Sequence, residues 1–236
     1  MSTLLSFDQP YYIEINEARW STVARILSGL PSMRSCIDVG CGPGWFSHHL
    51  VQSGYNVLGV DGRPELVELA RQRVPKALFC TADVANQDAM KVLPPADLVF
   101  CFGLLYHLEN PFSTVRSLYG LTRQHLLIET QLAPDPGPVF RLVAEGRNET
   151  QGLNFVAVIP SRAALIKMLY CAGFGCVERY TGRTEHPDFL DLPDRMHRRE
   201  IFISSANATG LPEFIVEPEP VTPKIDYSRS TGQLGS

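Results

Sequence analysis

The sequence predicts an α/β fold in which a mostly parallel sheet is covered by helices on both faces. Short apolar runs alternate with segments of helical periodicity along most of the 236 residues, which is typical of strands joined by crossover helices. The runs are predominantly apolar, as expected for strands that are buried on both faces of a sheet. A chain of this length fits one domain with a sizeable core.

The elements begin with a helix predicted from about Asn16 to Ser28, because its apolar residues recur on one face. Pro64 suits the first turn of a later helix, and Ser161 suits the N-cap of another that ends at Gly173. Seven strands are predicted, over residues 36–39, 56–61, 77–84, 96–103, 125–130, 176–180 and 199–204.

We divide the chain into an N-terminal helical segment (1–30), a main domain (31–206) and a tail (207–236). The tail is rich in proline and glutamate and then ends in polar residues. This composition is typical of an extended or disordered segment and does not predict a second domain.

The most informative motif is a turn with glycines at alternate positions, Gly40, Gly42 and Gly44, between a buried strand and a helix. Such a turn lets the backbone approach a nucleotide-like ligand closely. Dinucleotide sites use the spacing G-x-G-x-x-G, whereas the spacing here is G-x-G-x-G. Asp38, two residues before the first glycine, would repel a pyrophosphate and suits a ligand that carries an ammonium group.

Further polar residues follow the next strands. Asp61 ends the second strand, where an acid can accept both hydroxyls of a ribose. Asp83 ends the third strand. The fourth strand ends at Phe102 and Gly103, and Tyr106 with His107 comes directly afterwards.

These four elements together resemble the class I S-adenosylmethionine (SAM) dependent methyltransferases over roughly residues 35–206. The resemblance implies a Rossmann-like, doubly wound sheet of seven strands with the last antiparallel. It also implies SAM as the cofactor and S-adenosylhomocysteine as its product, with Asp83 near the adenine amino group and the fourth strand ending under the sulfonium. The cofactor-binding residues that it implies are Asp38, Gly40, Gly42, Gly44, Asp61, Gly62, Asp83, Val84, Phe102 and Gly103.

Several stretches, among them 103–107, 127–130, 154–161 and 171–174, resemble more closely the branch of tRNA wobble-uridine carboxymethyltransferases. That branch uses carboxy-SAM, held by a lysine, a tyrosine and an arginine, and Tyr106 matches the tyrosine. The N-terminal helical domain that carries the lysine has no counterpart here. We therefore expect a relative within this branch that uses ordinary SAM on a smaller acceptor.

Candidate catalytic residues follow from the chemistry of methyl transfer. Because the methyl group of SAM is already activated, the protein mainly has to align it with the acceptor atom. A hydroxyl acceptor also needs a base, for which His107, Glu129 and His186 are candidates, and Tyr106 is expected near the sulfonium. His107 serves either as the base or to shape the cofactor pocket, and its place directly after the fourth strand favours the second role. An amine or carboxylate acceptor needs no base.

Three segments fall outside the regular pattern: the aromatic-rich stretch 7–20 and the long links 131–160 and 182–198. Ligands of open α/β sheets bind beyond the carboxyl ends of the strands, so the two links either shape the acceptor pocket or merely cover sheet edges. Arg141, Arg147 and Arg183 in these links are candidates for acceptor specificity, because guanidinium groups suit planar anionic acceptors.

Composition excludes several classes of protein. A net charge of −4 does not indicate a protein that grips nucleic acid through phosphates. The sequence has no apolar run of membrane-spanning length and no secretory signal at its N-terminus. None of the six cysteines forms a C-x-x-C pair, so free thiols in a reducing, cytoplasmic compartment are expected, and no metal site is predicted. The sequence does not indicate an oligomeric state.

The function predicted from the sequence is methyl transfer from SAM to a small-molecule acceptor, such as a hydroxyl of a sugar or secondary metabolite. One alternative is a tRNA-modifying methyltransferase or carboxymethyltransferase. An alternative of another class is a non-catalytic module that binds SAM or a protein partner, against which the intact glycine motif, Asp61 and Asp83 argue.

Overall fold

The computed structural model describes residues 5–190 and 198–222. The α-helices within these residues are α1 (Pro10–Gly29), α2 (Trp45–Gln52), α3 (Pro64–Arg73), α4 (Gln87–Lys91), α5 (Pro111–Leu121) and α6 (Arg162–Ala172). The strands are β1 (Ser35–Val39), β2 (Asn56–Asp61), β3 (Leu78–Thr81), β4 (Ala96–Phe102), β5 (Thr122–Leu132), β6 (Phe140–Ala144), β7 (Val156–Pro160), β8 (Cys176–Tyr180), β9 (Arg198–Ser205) and β10 (Phe214–Val216).

Eight of the strands form one sheet in the order β10-β8-β9-β5-β4-β1-β2-β3. The strands from β1 to β5 pair in parallel with one another, and β9 runs antiparallel to both β5 and β8. This confirms the predicted α/β class and the antiparallel strand at the end of the main domain. The main sheet has one strand more than the predicted seven, because β10 adds an eighth.

Both faces of the sheet are buried, as the apolar strands predict. On one face, Cys36 and Leu98 pack in a cluster with Val23 of α1 and Leu50 of α2. Their chain neighbours point to the opposite face, where they pack in a cluster to which α4, α5 and α6 contribute. This alternation produces the doubly wound architecture, since each strand needs helices on both sides to leave water.

The region predicted as an extended tail supplies β10. This strand pairs antiparallel with β8 and covers an edge of the sheet. Glu217, just after β10, forms an ion pair with Arg179, and the carbonyl of Glu213 accepts the N–H of Thr181 at 2.8 Å. These contacts hold part of the tail against the sheet, while residues 223–236 lie outside the described residues.

Of the three segments outside the regular pattern, the aromatic stretch 7–20 and the link 131–160 contain more regular structure than the sequence predicts. Helix α1 begins at Pro10 rather than near Asn16, because proline suits the first turn and the helix continues through the aromatic stretch. The link 131–160 contains a separate two-stranded sheet, β6–β7, whose inner residues pack on Tyr106. Part of the link 182–198, residues 191–197, lies outside the described residues.

A search of the described helices finds none that combines the length and the apolar character needed to cross a membrane.

Candidate active site

A cavity of about 440 Å³ lies at the carboxyl ends of the parallel strands. The residues that end or follow β1 to β4 all contribute to its wall, which is the place where open α/β sheets bind ligands. Helix α1 and the loop of the β6–β7 hairpin complete the enclosure. The aromatic side chains around it include Phe7, Tyr11, Tyr12, Trp45, Phe46 and Tyr106.

The glycine turn takes a backbone conformation that L side chains rarely adopt. The φ angles of Gly40, Gly42 and Gly44 are 75°, 51° and 86°. Gly40 and Gly42 line the cavity, so backbone forms this part of its wall. Gly44 is instead the N-cap of α2, and a Cβ there would lie 3.2 Å from side-chain atoms of Ala70 on α3 and of Val74 directly after α3. Two of the three glycines therefore face the cavity, and the third allows the helices to pack.

Asp61 faces the cavity beside this turn. Its Oδ2 atom accepts the backbone N–H of Gly42 at 2.9 Å, and its Oδ1 atom accepts that of Arg63 at 2.9 Å. Burial raises the pKa of this carboxyl. The two backbone hydrogen bonds fix the carboxylate in place. Each oxygen still has a free lone pair, so the group can accept two hydroxyls of a ligand.

The other residues predicted after the second and third strands also line the cavity. Gly62 follows Asp61, and a Cβ there would lie 2.8 Å from the Leu153 side chain. Asp83 is exposed at the rim and accepts the N–H of Ala85 at 2.9 Å, whereas Val84 is buried in the wall.

Asp38 is not among the residues that line the cavity, although the glycine motif predicts that it faces the cofactor. It is 2% exposed, and its Oδ2 atom accepts the hydroxyl of Ser47 on α2 at 2.6 Å. Burial raises the pKa of the carboxyl to about 7, with Ser47 opposing this effect. A contact with a cofactor ammonium stays a prediction, because this carboxyl turns toward α2.

Residues 12–179 match a family model described as a methyltransferase domain. The chain belongs to the class I SAM-dependent methyltransferases. The residues of the cavity fit this cofactor, because Asp61 offers two fixed oxygens for ribose hydroxyls beside backbone that can come close to a ligand.

Two relatives illustrate the range of this family. The tRNA U34 carboxymethyltransferase of Azotobacter vinelandii is 32% identical to this chain over 192 residues, which cover 69% of this chain and 56% of the relative. The trans-aconitate 2-methyltransferase of Delftia acidovorans is 29% identical over 169 residues, which cover 69% of this chain and 59% of the relative. The chain thus spans less than two thirds of the length of these relatives.

Solved structures show the same fold. The N-terminal domain of EvdMO1 with SAH bound has a TM-score of 0.66 at 22% identity, with 86% of this chain and 83% of that chain covered. Magnesium protoporphyrin IX methyltransferase (ChlM) from Synechocystis PCC 6803 with bound SAM has a TM-score of 0.56 at 21% identity, with 82% and 80% covered. Both likenesses support the Rossmann-like assignment of the sheet.

Tyr106 and His107 lie in a 3-10 turn, Leu105–His107, directly after β4, and both side chains line the cavity. Phe102, which ends β4, and Gly103, which follows it, line the cavity as well. The hydroxyl of Tyr106 accepts a hydrogen bond from Nη2 of Arg199 at 2.9 Å.

His107 has a partner that sequence reasoning does not identify. Its Nδ1 atom forms a short contact with Oε1 of Glu145, the residue that follows β6. The side chains of both residues are buried, at 9% and 5% exposure. A histidine whose ring is fixed by a buried carboxylate has the arrangement of a general base with its orienting group.

Glu129 lies behind the cavity and not in its wall, although it is a predicted catalytic residue. It is completely buried, and its two oxygens accept hydrogen bonds from Arg19 at 2.8 Å and from Arg199 at 3.0 Å. Both oxygens are bound by guanidinium groups, and the side chain does not face the cavity where an acceptor would lie. It instead holds two arginines at the cavity wall.

The remaining predicted candidates also lie elsewhere. His186 is buried outside the cavity wall, and its Nδ1 atom accepts the N–H of Asp188 at 3.2 Å. Arg141 pairs with Asp135, and Arg183 pairs with Glu185 on the surface. None of these residues, nor Arg147, lines the cavity. The arginines that line it are Arg19, Arg63 and Arg199.

Within the described residues, no group of three or more His, Cys, Asp or Glu side chains is placed to hold a metal ion.

We expect Asp61→Ala to weaken the affinity for SAM by about 10- to 150-fold, from a wild-type dissociation constant of roughly micromolar. The reason is that the ribose hydroxyls lose their acceptor inside a largely enclosed cavity. Isothermal calorimetry measures the change. Asp88→Ala, an exposed carboxylate on α4 outside the cavity, is the matched control. Equal affinity in both variants would refute the ribose-binding role.

The raised pKa of the buried Asp38 carboxyl should make the free energy of unfolding depend on pH. Its pKa is raised from 3.8 to about 7 in the folded chain, so the folded state binds this proton more tightly than the unfolded state. The resulting stabilisation is complete below the unfolded pKa and is lost as the pH rises through about 7.

The loss is at most about 1.4 kcal/mol per pH unit. Urea unfolding at pH 5 and pH 8 should show a larger drop in the wild type than in Asp38→Asn, which cannot titrate there. The same drop in both proteins would show that Asp38 does not cause it.

Proposed function

We propose that this protein transfers the methyl group of SAM to a hydroxyl of a small molecule, with His107 as the general base. The observation that carries the proposal is the contact between His107 and Glu145 at the cavity wall. When bound, SAM supplies an activated methyl group, so the chain has to orient the acceptor, exclude water and receive a proton.

The contact with Glu145 determines which nitrogen of His107 is free for catalysis. With the proton on Nδ1, the ring donates to the carboxylate and keeps a lone pair on Nε2. That lone pair can receive the proton of a hydroxyl as the oxygen becomes nucleophilic. A carboxylate acceptor has no proton to lose, so a paired, buried histidine supports a hydroxyl acceptor.

The size and lining of the cavity support a small acceptor. A volume of about 440 Å³, shared with the cofactor, lies within the range of small-molecule sites. Aromatic side chains from α1 and α2 face this space and can pack on an apolar or cyclic acceptor. The relatives include a trans-aconitate 2-methyltransferase, whose named substrate is also a small molecule.

The direct test is to incubate the purified protein with SAM and panels of small hydroxyl, amine and carboxylate compounds. S-adenosylhomocysteine release should occur with members of the hydroxyl panel. Release with carboxylates alone would overturn the base mechanism. SAM binding without turnover on any panel would support the non-catalytic alternative.

A second candidate function, carboxymethyl transfer to tRNA, is favoured by one contact. The hydroxyl of Tyr106 meets the guanidinium of Arg199 at 2.9 Å, and a tyrosine with an arginine is what the resemblance implies for holding carboxy-SAM. The net charge of −4 argues against binding tRNA mainly through its phosphates. A gel-shift assay with tRNA, together with calorimetry on SAM and carboxy-SAM, separates the two candidates. Salt-sensitive tRNA binding and a preference for carboxy-SAM would favour the second.

A further inference from the structure

We propose that Glu145 is a positioning residue that fixes the ring of His107, the proposed base. Glu145 also binds the loop of the β6–β7 hairpin, and this loop connects the base to the cofactor side of the cavity. This inference rests on the proposed function, because it specifies how the proposed base is oriented. It adds a residue whose role neither the sequence motifs nor the family likeness supplies.

Glu145 uses both of its carboxylate oxygens. Oε1 contacts Nδ1 of His107, and Oε2 accepts the backbone N–H of Gly152 at 3.0 Å. The backbone N–H of Glu145 also donates to the carbonyl of Phe155 at 2.9 Å. The side chain therefore ties Gly152 of the hairpin loop to the histidine, and the backbone of Glu145 joins the two ends of the loop.

Gly152 shows how closely the loop lies on the base. A Cβ at this position would come within 2.4 Å of the carbonyl oxygen of His107. That oxygen is backbone and cannot swing away as the end of a flexible side chain can, so a residue with a side chain would force the loop and His107 apart. The loop and the base therefore form one packed unit.

The same loop also contacts the cofactor side. Leu153 packs against Gly62, where a Cβ would lie 2.8 Å from the leucine side chain. Nη2 of Arg63 donates to the carbonyls of Asn148 and Gly152 at 3.5 Å each. Gly62 and Arg63 directly follow Asp61, so the loop connects the predicted ribose site to His107.

These contacts predict which tautomer the ring of His107 adopts. An ionised carboxylate offers only acceptors, so Glu145 favours the tautomer of His107 that carries its proton on Nδ1. Without that carboxylate, the ring loses the interaction that selects this tautomer. Nε2 can then carry the proton, and in that form it has no lone pair to receive the proton of a hydroxyl. Glu145 thereby acts through His107 and not on the acceptor itself.

The experiment measures the tautomer of His107 by nitrogen-15 NMR on the ligand-free protein, whose His107 signals are identified by their loss in His107→Gln. The wild type should show the Nδ1–H form, and Glu145→Ala should shift the ring toward the Nε2–H form. Glu109→Ala, an exposed carboxylate two positions after His107, should leave the wild-type spectrum unchanged. If the alanine variant does not fold, Glu145→Gln replaces it. The amide of glutamine has only one oxygen, so it cannot accept from both the N–H of Gly152 and the Nδ1–H of His107 with separate oxygens as Glu145 does.

Turnover provides the second readout. Glu145→Ala should lower kcat by roughly 100-fold, in the range typical for general-base catalysis, and leave KM for the acceptor nearly unchanged. A variant that keeps both the Nδ1–H tautomer and wild-type kcat would overturn the role of Glu145. A Glu145-dependent tautomer in a protein without methyl transfer would instead uphold the positioning and refute the proposed reaction.

Discussion

Replacing His107 with alanine should lower turnover by about 10²- to 10⁴-fold and leave the affinity for SAM nearly unchanged. The sequence alone favours a different outcome, in which rate and cofactor affinity fall together, because His107 directly follows the strand that ends under the sulfonium. The contact with Glu145 changes this expectation, since it gives the ring the partner that a general base needs. The measurement pairs kcat, from release of S-adenosylhomocysteine, with a calorimetric titration of SAM.

His48→Ala is the matched control for this experiment. His48 is exposed on α2 and is not among the residues that line the cavity, so both quantities should stay at their wild-type values. A parallel loss of SAM affinity and rate in His107→Ala would show that the ring shapes the cofactor pocket. A loss of rate alone, with the His48 variant unaffected, is the result that a base predicts.

The cofactor side of the site can be predicted largely from the sequence. Parallel strands bring their carboxyl ends to one edge of a sheet, so Asp61 and Asp83 must approach the glycine turn once the strands are recognised. Their positions in the cavity wall agree with that argument. Asp38 shows where this reasoning stops, because a strand position fixes the face of the sheet but not the partner of a side chain. The partner of Asp38 is the hydroxyl of Ser47 on α2.

The acceptor side depends on contacts between distant parts of the chain. Glu129 lies 110 positions from Arg19 and 70 from Arg199, and the spacing of motifs contains no information on such pairs. One signal was available: Arg19 stands four residues after Ile15 and four before Val23, on the buried face of α1. A charge on an apolar helix face requires a buried partner. Glu145 offers no comparable signal, because it lies in a link without periodicity.

The buried cluster of Arg19, Glu129 and Arg199 predicts the largest effect on stability. Burial lowers the pKa of Arg19, and Glu129 opposes this effect. For Arg199, burial also acts to lower the pKa, but Tyr106 and Glu129 outweigh it and raise the pKa. Glu129 thus compensates both guanidinium groups inside the protein, and Nε of Arg199 also donates to Oδ2 of Asp188 at 3.4 Å.

Glu129→Gln should therefore lower the free energy of unfolding by about 3–5 kcal/mol, because it keeps the shape of the side chain but removes the carboxylate that two buried cations share. Arg19 then loses its anion, and Arg199 keeps its contact with Asp188. Urea unfolding measures the change. Glu213→Gln is the control, since Glu213 pairs with Arg25 at 3.4 Å with both side chains about half exposed, and such pairs contribute about 0–1 kcal/mol. Equal losses in the two variants would mean that the cluster is compensated by other groups. A selective loss in Glu129→Gln would show that this carboxylate, predicted from the sequence as catalytic, holds the two arginines in the cavity wall.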